Sequence, residues 1–239
     1  MPSPAAFDPP TPLPTVLPAL PVAPWQPSGT VLVAALNDAA TLDALGAAAH
    51  APPYQRPPRA PVLVVKPRHT WSAAGATFVL PPGHERVQVG ASLALVVGRR
   101  IAAGADATTA HAAIAAWALA VDLTLPTDGW YRPAVRSRAA VGSLRLAAPV
   151  AGPPPWPAGF EASLDGGPPW QADTRRFVHE PGALLADIAE FMTLQPGDIV
   201  LAGVPEGAPS ARAGQRVRVA GPGAAVIEFG VQSEAGHGQ

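Results

Sequence analysis

At 239 residues the chain is long enough for one sizeable core with a terminal extension, and it stays below the length at which cores usually divide. Charged residues make up 14% of it and apolar residues 48%, with a formal net charge of -1, so it lacks the basic field that nucleic acid or anionic lipid would need. It has no cysteine, which excludes disulfides, thiolate metal sites and a thiol nucleophile, and no apolar run approaches the roughly 20 residues of a membrane-spanning helix.

In chain order, residues 1–28 are rich in proline and alanine and nearly free of charge, a composition that favours an extended, unpacked segment. They are expected to be a disordered extension without a role. They lack a positively charged start and are broken by Pro10, Pro12, Pro14, Pro18 and Pro21, so they do not resemble a signal peptide, and a cytoplasmic location is expected. The folded body is expected over residues 29–232, with a flexible tail at 233–239. It opens with a strand at 30–36, a turn at Asn37 and Asp38, and a helix at 41–49 that Pro52, Pro53, Pro57 and Pro58 cannot continue. Short strands follow at 61–65 and at 78–80, the second closed by the Pro81-Pro82-Gly83 turn.

Residues 86–98 predict one long strand. Val87, Val89, Ala91, Leu93 and Leu95 fall on one face by the two-residue period, and Gln88, Gly90 and Ser92 on the other. The alanine-rich stretch 106–120 predicts a helix, and 121–125 a strand. After a proline-rich insert at 152–157, Leu184, Leu185, Ile188 and Phe191 give a helix at 182–192 that ends at the Pro196-Gly197-Asp198 turn. Strands at 199–202, 216–219 and 225–229 close the chain between glycine turns, without an internal repeat. The pattern is that of a β-rich α+β domain, and its low charge predicts a surface partly covered in an oligomer.

The segment FMTLQPGDIVLAGVPEG at 191–207 resembles the closing signature of the fumarylacetoacetate hydrolase family, in which a helix end, a PGD turn and a GTPxG loop follow one another. LVVKPRHT at 63–70, VGASLALVVGR at 89–99, AVDLTLP at 120–126 and GWYRPAVRSR at 129–138 stand in the family's order, so the resemblance runs from about Gly29 to Phe229. ALND at 35–38 and YRPAV at 131–135 are similar to the branch of the family that works on intermediates of homoprotocatechuate breakdown. The resemblance implies the family's fold, a mixed β-sheet roll with short helices.

It also implies a chemistry. The family holds Mg²⁺ or Mn²⁺ with two glutamates in an ExE pattern on a long strand and an aspartate further on. Alternate strand residues share a face, so ExE delivers two hard oxygens together. The ion chelates a 2-oxo acid and stabilises the enolate left when a proton or carboxylate departs. Carried onto this sequence, the glutamates fall on Gly90 and Ser92, the aspartate is kept as Asp122, the assisting lysine falls on Arg138 and the loop threonine on Val204. One carboxylate of three remains, so no tight intrinsic metal site is expected. Asp122 is left with two roles: a remnant ligand, or a structural acid that faces solvent, caps a helix, or pairs with Arg132, Arg136 or Arg138.

Under the same resemblance, Arg138, His69 and Lys66 are the candidates for catalysis, and Arg68, Arg132 and Glu206 for binding a dicarboxylate. His69 and His50 lie in loops where an imidazole can serve as a base. Lys66 and Arg68 belong to a KPR element near the family's site entrance, and Arg138 keeps a charge but cannot act as a base. Glu206 is either a turn residue or a lid contact. His84 with Glu85 is read as a solvated turn, His111 as an ordinary helix residue, and Arg99 and Arg100 as surface. The implied function is a subunit of a 2-hydroxyhepta-2,4-diene-1,7-dioate isomerase and 5-oxopent-3-ene-1,2,5-tricarboxylate decarboxylase of 4-hydroxyphenylacetate catabolism. It would be the half without a full metal site, assembled with a homologous metal-binding subunit or with copies of itself. The alternative is a non-catalytic structural or regulatory homologue, and metal-independent catalysis by Arg138 with a histidine ranks third.

Overall fold

The structure is a computed structural model that describes residues 27–52, 55–127, 135–221 and 223–234. The extension up to residue 26 and the tail from 235 lie outside the described residues. The strands are β1 (Val31–Ala35), β2 (Val62–Val65), β3 (Trp71–Ser72), β4 (Phe78–Leu80), β5 (Arg86–Val97), β6 (Ile114–Thr124), β7 (Leu144–Leu146), β8 (Val150–Ala151), β9 (Gly159–Leu164), β10 (Trp170–Asp173), β11 (Ile199–Leu201), β12 (Ser210–Arg212), β13 (Arg216–Ala220) and β14 (Ile227–Ser233). The helices are α1 (Ala39–Leu45), α2 (Ala107–Ala112), α3 (Val135–Arg138) and α4 (Pro181–Ala189).

The long strand expected at 86–98 is β5. It pairs antiparallel with β6 from Gln88 opposite Thr124 to Val97 opposite Ile114. This corrects the helix expected over 106–120: α2 ends at Ala112, and the residues beyond Ala113 are strand. Alanine's helix preference is worth only tenths of a kcal/mol per residue. Against it stands the burial of every side chain from Ala116 to Thr124, with β5 on one side and β7 and β8 on the other. A strand buried on both faces is a continuous apolar run without alternation, and its period cannot be told from that of a buried helix.

The large sheet runs β2-β1-β11-β5-β6-β7-β3, with β12 added to β5 and β8 to β6. Its two ends, β2 and β3, are consecutive strands separated only by residues 66–70. Five residues reach at most about 18 Å. The sheet therefore curls until its ends approach, and becomes a roll. Val31, Val33, Ala94, Val96, Ala116, Ala118, Ala120, Leu144, Ile199 and Leu201 fill its inside. The outer face, carrying Val89, Leu93, Leu119 and Val121, packs in one core with helices α2 and α4 and a second sheet of order β10-β9-β13-β14-β4. The expected roll with short helices is the observed architecture.

Candidate functional site

Register places the implied metal positions together. Gly90 on β5 is opposite Asp122 on β6, and Ser92 is opposite Ala120, so Gly90, Ser92 and Asp122 share the inner face of the roll near one mouth. Asp122 is 1% exposed, which rules out the solvent-facing role.

Its partner is Lys66. The lysine follows β2, continues the ladder by donating its backbone N–H to the Val31 carbonyl at 2.8 Å, and turns its side chain inward. The ammonium donates to Asp122 Oδ1 at 2.7 Å, to Ser143 Oγ at 3.0 Å and to the carbonyl of Arg138. An ammonium has three hydrogens. All three are engaged, and Lys66 is 1% exposed, so it has none to lend a substrate. Arg138 stands second: its Nη1 is 3.6 Å from Asp122 Oδ2, an ion-pair distance too long for a hydrogen bond. Burial pulls the Arg138 guanidinium below its ordinary pKa, and the Asp122 charge opposes that shift. Asp122 Oδ2 has no hydrogen-bond partner among the described residues.

The space beside Asp122 is filled. A Cβ added at Gly90 would lie 2.7 Å from Val204 Cγ2 and 2.8 Å from the backbone oxygen of Asp122. Not even an alanine fits there without movement, much less a glutamate reaching for an ion. Ser92 Oγ instead accepts the Gly203 N–H at 3.3 Å. The loop carrying Val204 is fastened from the other side. Asn37 donates to the Ala202 carbonyl at 2.7 Å and exchanges hydrogen bonds with the His179 backbone at 2.8 and 3.1 Å. Asp38, fully buried, accepts the Glu206 N–H and an Arg176 Nη2 hydrogen, both at 2.9 Å, and also caps α1 through the Thr41 N–H.

These residues do not fit a divalent ion. One carboxylate faces the position, one of its oxygens holds an ammonium, and methyl groups stand where a second carboxylate would begin. Among the described residues no group of three histidine, aspartate or glutamate side chains is placed to hold a metal.

Of the candidates taken from the sequence, the structure gathers Lys66, Asp122 and Arg138. His69 lies beside them without facing Asp122; its Nε2 is 2.8 Å from the Ala139 carbonyl, and Arg68 precedes it in the same 3₁₀ turn. Glu206 belongs to the Asp38 group, where its Oε2 accepts from the Thr41 hydroxyl at 3.2 Å. Arg132 lies outside the described residues. The sequence reading missed Lys66 as the partner of Asp122, and missed Ser143, Asn37, Asp38 and Arg176 as site-forming residues. Asn37 and Asp38 had a signal, two turn-favouring polar residues directly after a strand; Arg176 and Ser143 had none.

A roll closed by a five-residue link, with a second sheet packed on its outside, defines a class of domain, and the positions across its β5–β6 pair define where a member would work. The chain belongs to the fumarylacetoacetate hydrolase family, since the family model described as "Fumarylacetoacetate (FAA) hydrolase C-terminal" matches residues 30–232. It is 34% identical over 206 residues to the 4-hydroxyphenylacetate degradation bifunctional isomerase/decarboxylase of Escherichia coli, covering 86% of this chain and 48% of that protein. To the homoprotocatechuate catabolism bifunctional isomerase/decarboxylase of Escherichia coli it is 32% identical, again over 86% of this chain and 48% of the relative. The chain thus spans about half the length of these curated relatives. In fold it is similar to fumarylpyruvate hydrolase from Pseudomonas aeruginosa, solved in complex with Mn²⁺ and pyruvate, with TM-score 0.72 at 19% identity over 92% of this chain and 99% of that one. No helix among the described residues is long and apolar enough to cross a membrane.

Proposed function

We propose that this chain is one half of a paired isomerase/decarboxylase of 4-hydroxyphenylacetate catabolism, acting on 2-hydroxyhepta-2,4-diene-1,7-dioate and 5-oxopent-3-ene-1,2,5-tricarboxylate, and that it is the half without a metal. The observation that carries the reading is Asp122 standing as a lone carboxylate opposite Gly90, with Val204 against that glycine. Curated relatives about twice as long, of which this chain covers 48%, support the pairing. Family chemistry needs an ion to stabilise an enolate, and an ion needs several hard oxygens. Those oxygens come from a homologous subunit, and this chain contributes the scaffold that supports it. The cytoplasm is the compartment in which such a pair would meet its acids.

The test is turnover of both intermediates by the isolated chain with Mg²⁺, by the chain mixed with a family member that keeps ExE and Asp, and by the mixture with a chelator. Activity raised by mixing and abolished by the chelator is expected. Full activity in the isolated chain would refute the pairing. The second reading, a non-catalytic homologue, is favoured by the same filling of the mouth by Val204; it predicts that mixing leaves the partner's rate unchanged.

A further inference from the structure

We infer that Lys66 is the resident cation of this domain, a covalently tethered ammonium that holds Asp122 and closes the seam of the roll without metal. The seam is the gap between the sheet's end strands, β2 and β3, neither of which pairs with the other. Lys66 opens the link between them. Its ammonium reaches Asp122 on β6, the Ser143 hydroxyl one residue before β7, and the carbonyl of Arg138 at the end of α3. One side chain therefore ties the link to the strand that faces it across the roll, to the strand that pairs with β3, and to a helix.

Three features then act against a divalent ion independently. An ion at Asp122 would sit beside an ammonium already 2.7 Å from Oδ1, at a place where water cannot screen the repulsion. The guanidinium of Arg138 guards Oδ2 at 3.6 Å. Val204 fills the space at Gly90. Changing Gly90 and Ser92 back to glutamates would leave the first two in place, so the lost acids are only part of the change. A lysine also suits the position better than a second arginine, since its three hydrogens diverge toward three acceptors where a planar fork cannot.

The test uses the full chain. Thermal unfolding in EDTA and with millimolar MnCl₂ or MgCl₂ is expected to give the same midpoint within about a degree, as a protein without a native-state site requires. Lys66→Met leaves Asp122 buried beside a single distant cation, and its midpoint is expected to fall by roughly 10 °C. Hydrogen exchange should then show β2 and β3 losing protection before β5 and β6. Lys66→Met/Asp122→Leu removes both charges, and is expected to recover most of the loss. If the single variant does not fold, the double variant carries the test: a folded protein supports the proposal and an unfolded one overturns it. A midpoint raised by Mn²⁺ in the unaltered chain, or a Lys66→Met variant as stable as the parent, would also overturn it. These readouts involve no turnover, so they stand or fall apart from the pairing proposed above.

Discussion

Lys66 and Arg145 are both buried in this domain, and they are held by opposite means. Lys66 is 1% exposed and bound to a carboxylate on the inside of the roll. Arg145 on β7 is 0% exposed and points out of the roll, into the core between the two sheets. No carboxylate among the described residues pairs with it. Its guanidinium lies 4.1 Å from the ring centroid of Phe229 and 5.7 Å from that of Phe78, and it donates to the carbonyls of Gly142 and Ala76. Desolvation holds its pKa down to about 10. One cation is required by a charge, whereas the other is tolerated by aromatic faces and carbonyls. A cation of the first kind cannot be removed alone, because its partner stays behind as an uncompensated buried ion. A cation of the second kind leaves only neutral acceptors.

The largest effect should come from the charged pair. Asp122→Asn keeps the shape of the side chain and leaves Lys66 and Arg138 without a counter-charge, and is expected to cost about 3–5 kcal/mol, or roughly 10 °C in melting midpoint. Calorimetry of the purified variant reads this directly. A loss of only a degree or two would mean that water or a rearranged neighbour takes over the charge, and the contrast with Arg145 would fail.

Next in size is Gly90→Ala. Its new methyl must move Val204 and the Asp122 carbonyl, both within 3 Å, and overpacking of this kind costs about 1–3 kcal/mol. Urea midpoints should fall accordingly. Gly90→Ala/Val204→Ala should recover part of the loss, because the contact with the backbone oxygen remains. A neutral Gly90→Ala would show the mouth to be looser than its distances indicate, and would weaken the case that shape as well as charge keeps an ion out.

The roll was legible in the sequence because its parts carry local signals. The period of β5, the PGD turn and the GVPEG loop carry the resemblance to the family, and Gly90, Ser92 and Asp122 are the positions onto which that resemblance places the family's metal ligands. β6 was not legible, since an alanine-rich strand buried on both faces has no period to betray it. Of the nearby arginines that the sequence offers Asp122 as partners, Arg138 does stand at ion-pair distance, 3.6 Å from Oδ2, but the hydrogen-bonded partner is Lys66, 56 residues away. Curling the sheet creates that contact, and curling depends on which strand ends meet. Nothing in the neighbourhood of Lys66 encodes it.

Arg145→Met sharpens the comparison from the weaker side. It gives up a cation–π contact of about 1–2 kcal/mol and leaves two carbonyls short of a donor, but it also relieves the core of a desolvated charge. A net change smaller than that of Gly90→Ala is expected in the same urea series. A loss as large as that of Asp122→Asn would mean that the arginine is required by a charge after all, supplied from residues outside the described segments.

The smallest effect is a pH dependence carried by Arg145. Its folded pKa lies well below an arginine's ordinary value, at about 10, so above about pH 9 the unfolded chain binds more protons than the folded one and stability rises with pH. Below about pH 9 the contribution is flat, and the desolvation cost is present in full. At pH 10 half the folded molecules have shed the proton, and the gain over pH 8 is RT ln 2, about 0.4 kcal/mol. Ionisations common to both chains cancel when the stability of Arg145→Met is subtracted from that of the parent, so the difference isolates this group. Urea unfolding of both chains at pH 8, 9, 10 and 10.5 is expected to show the difference turning upward in favour of the parent only in the last two steps. A flat difference would place the folded pKa well above 10, and would mean that the two rings and two carbonyls solvate the guanidinium nearly as well as water does.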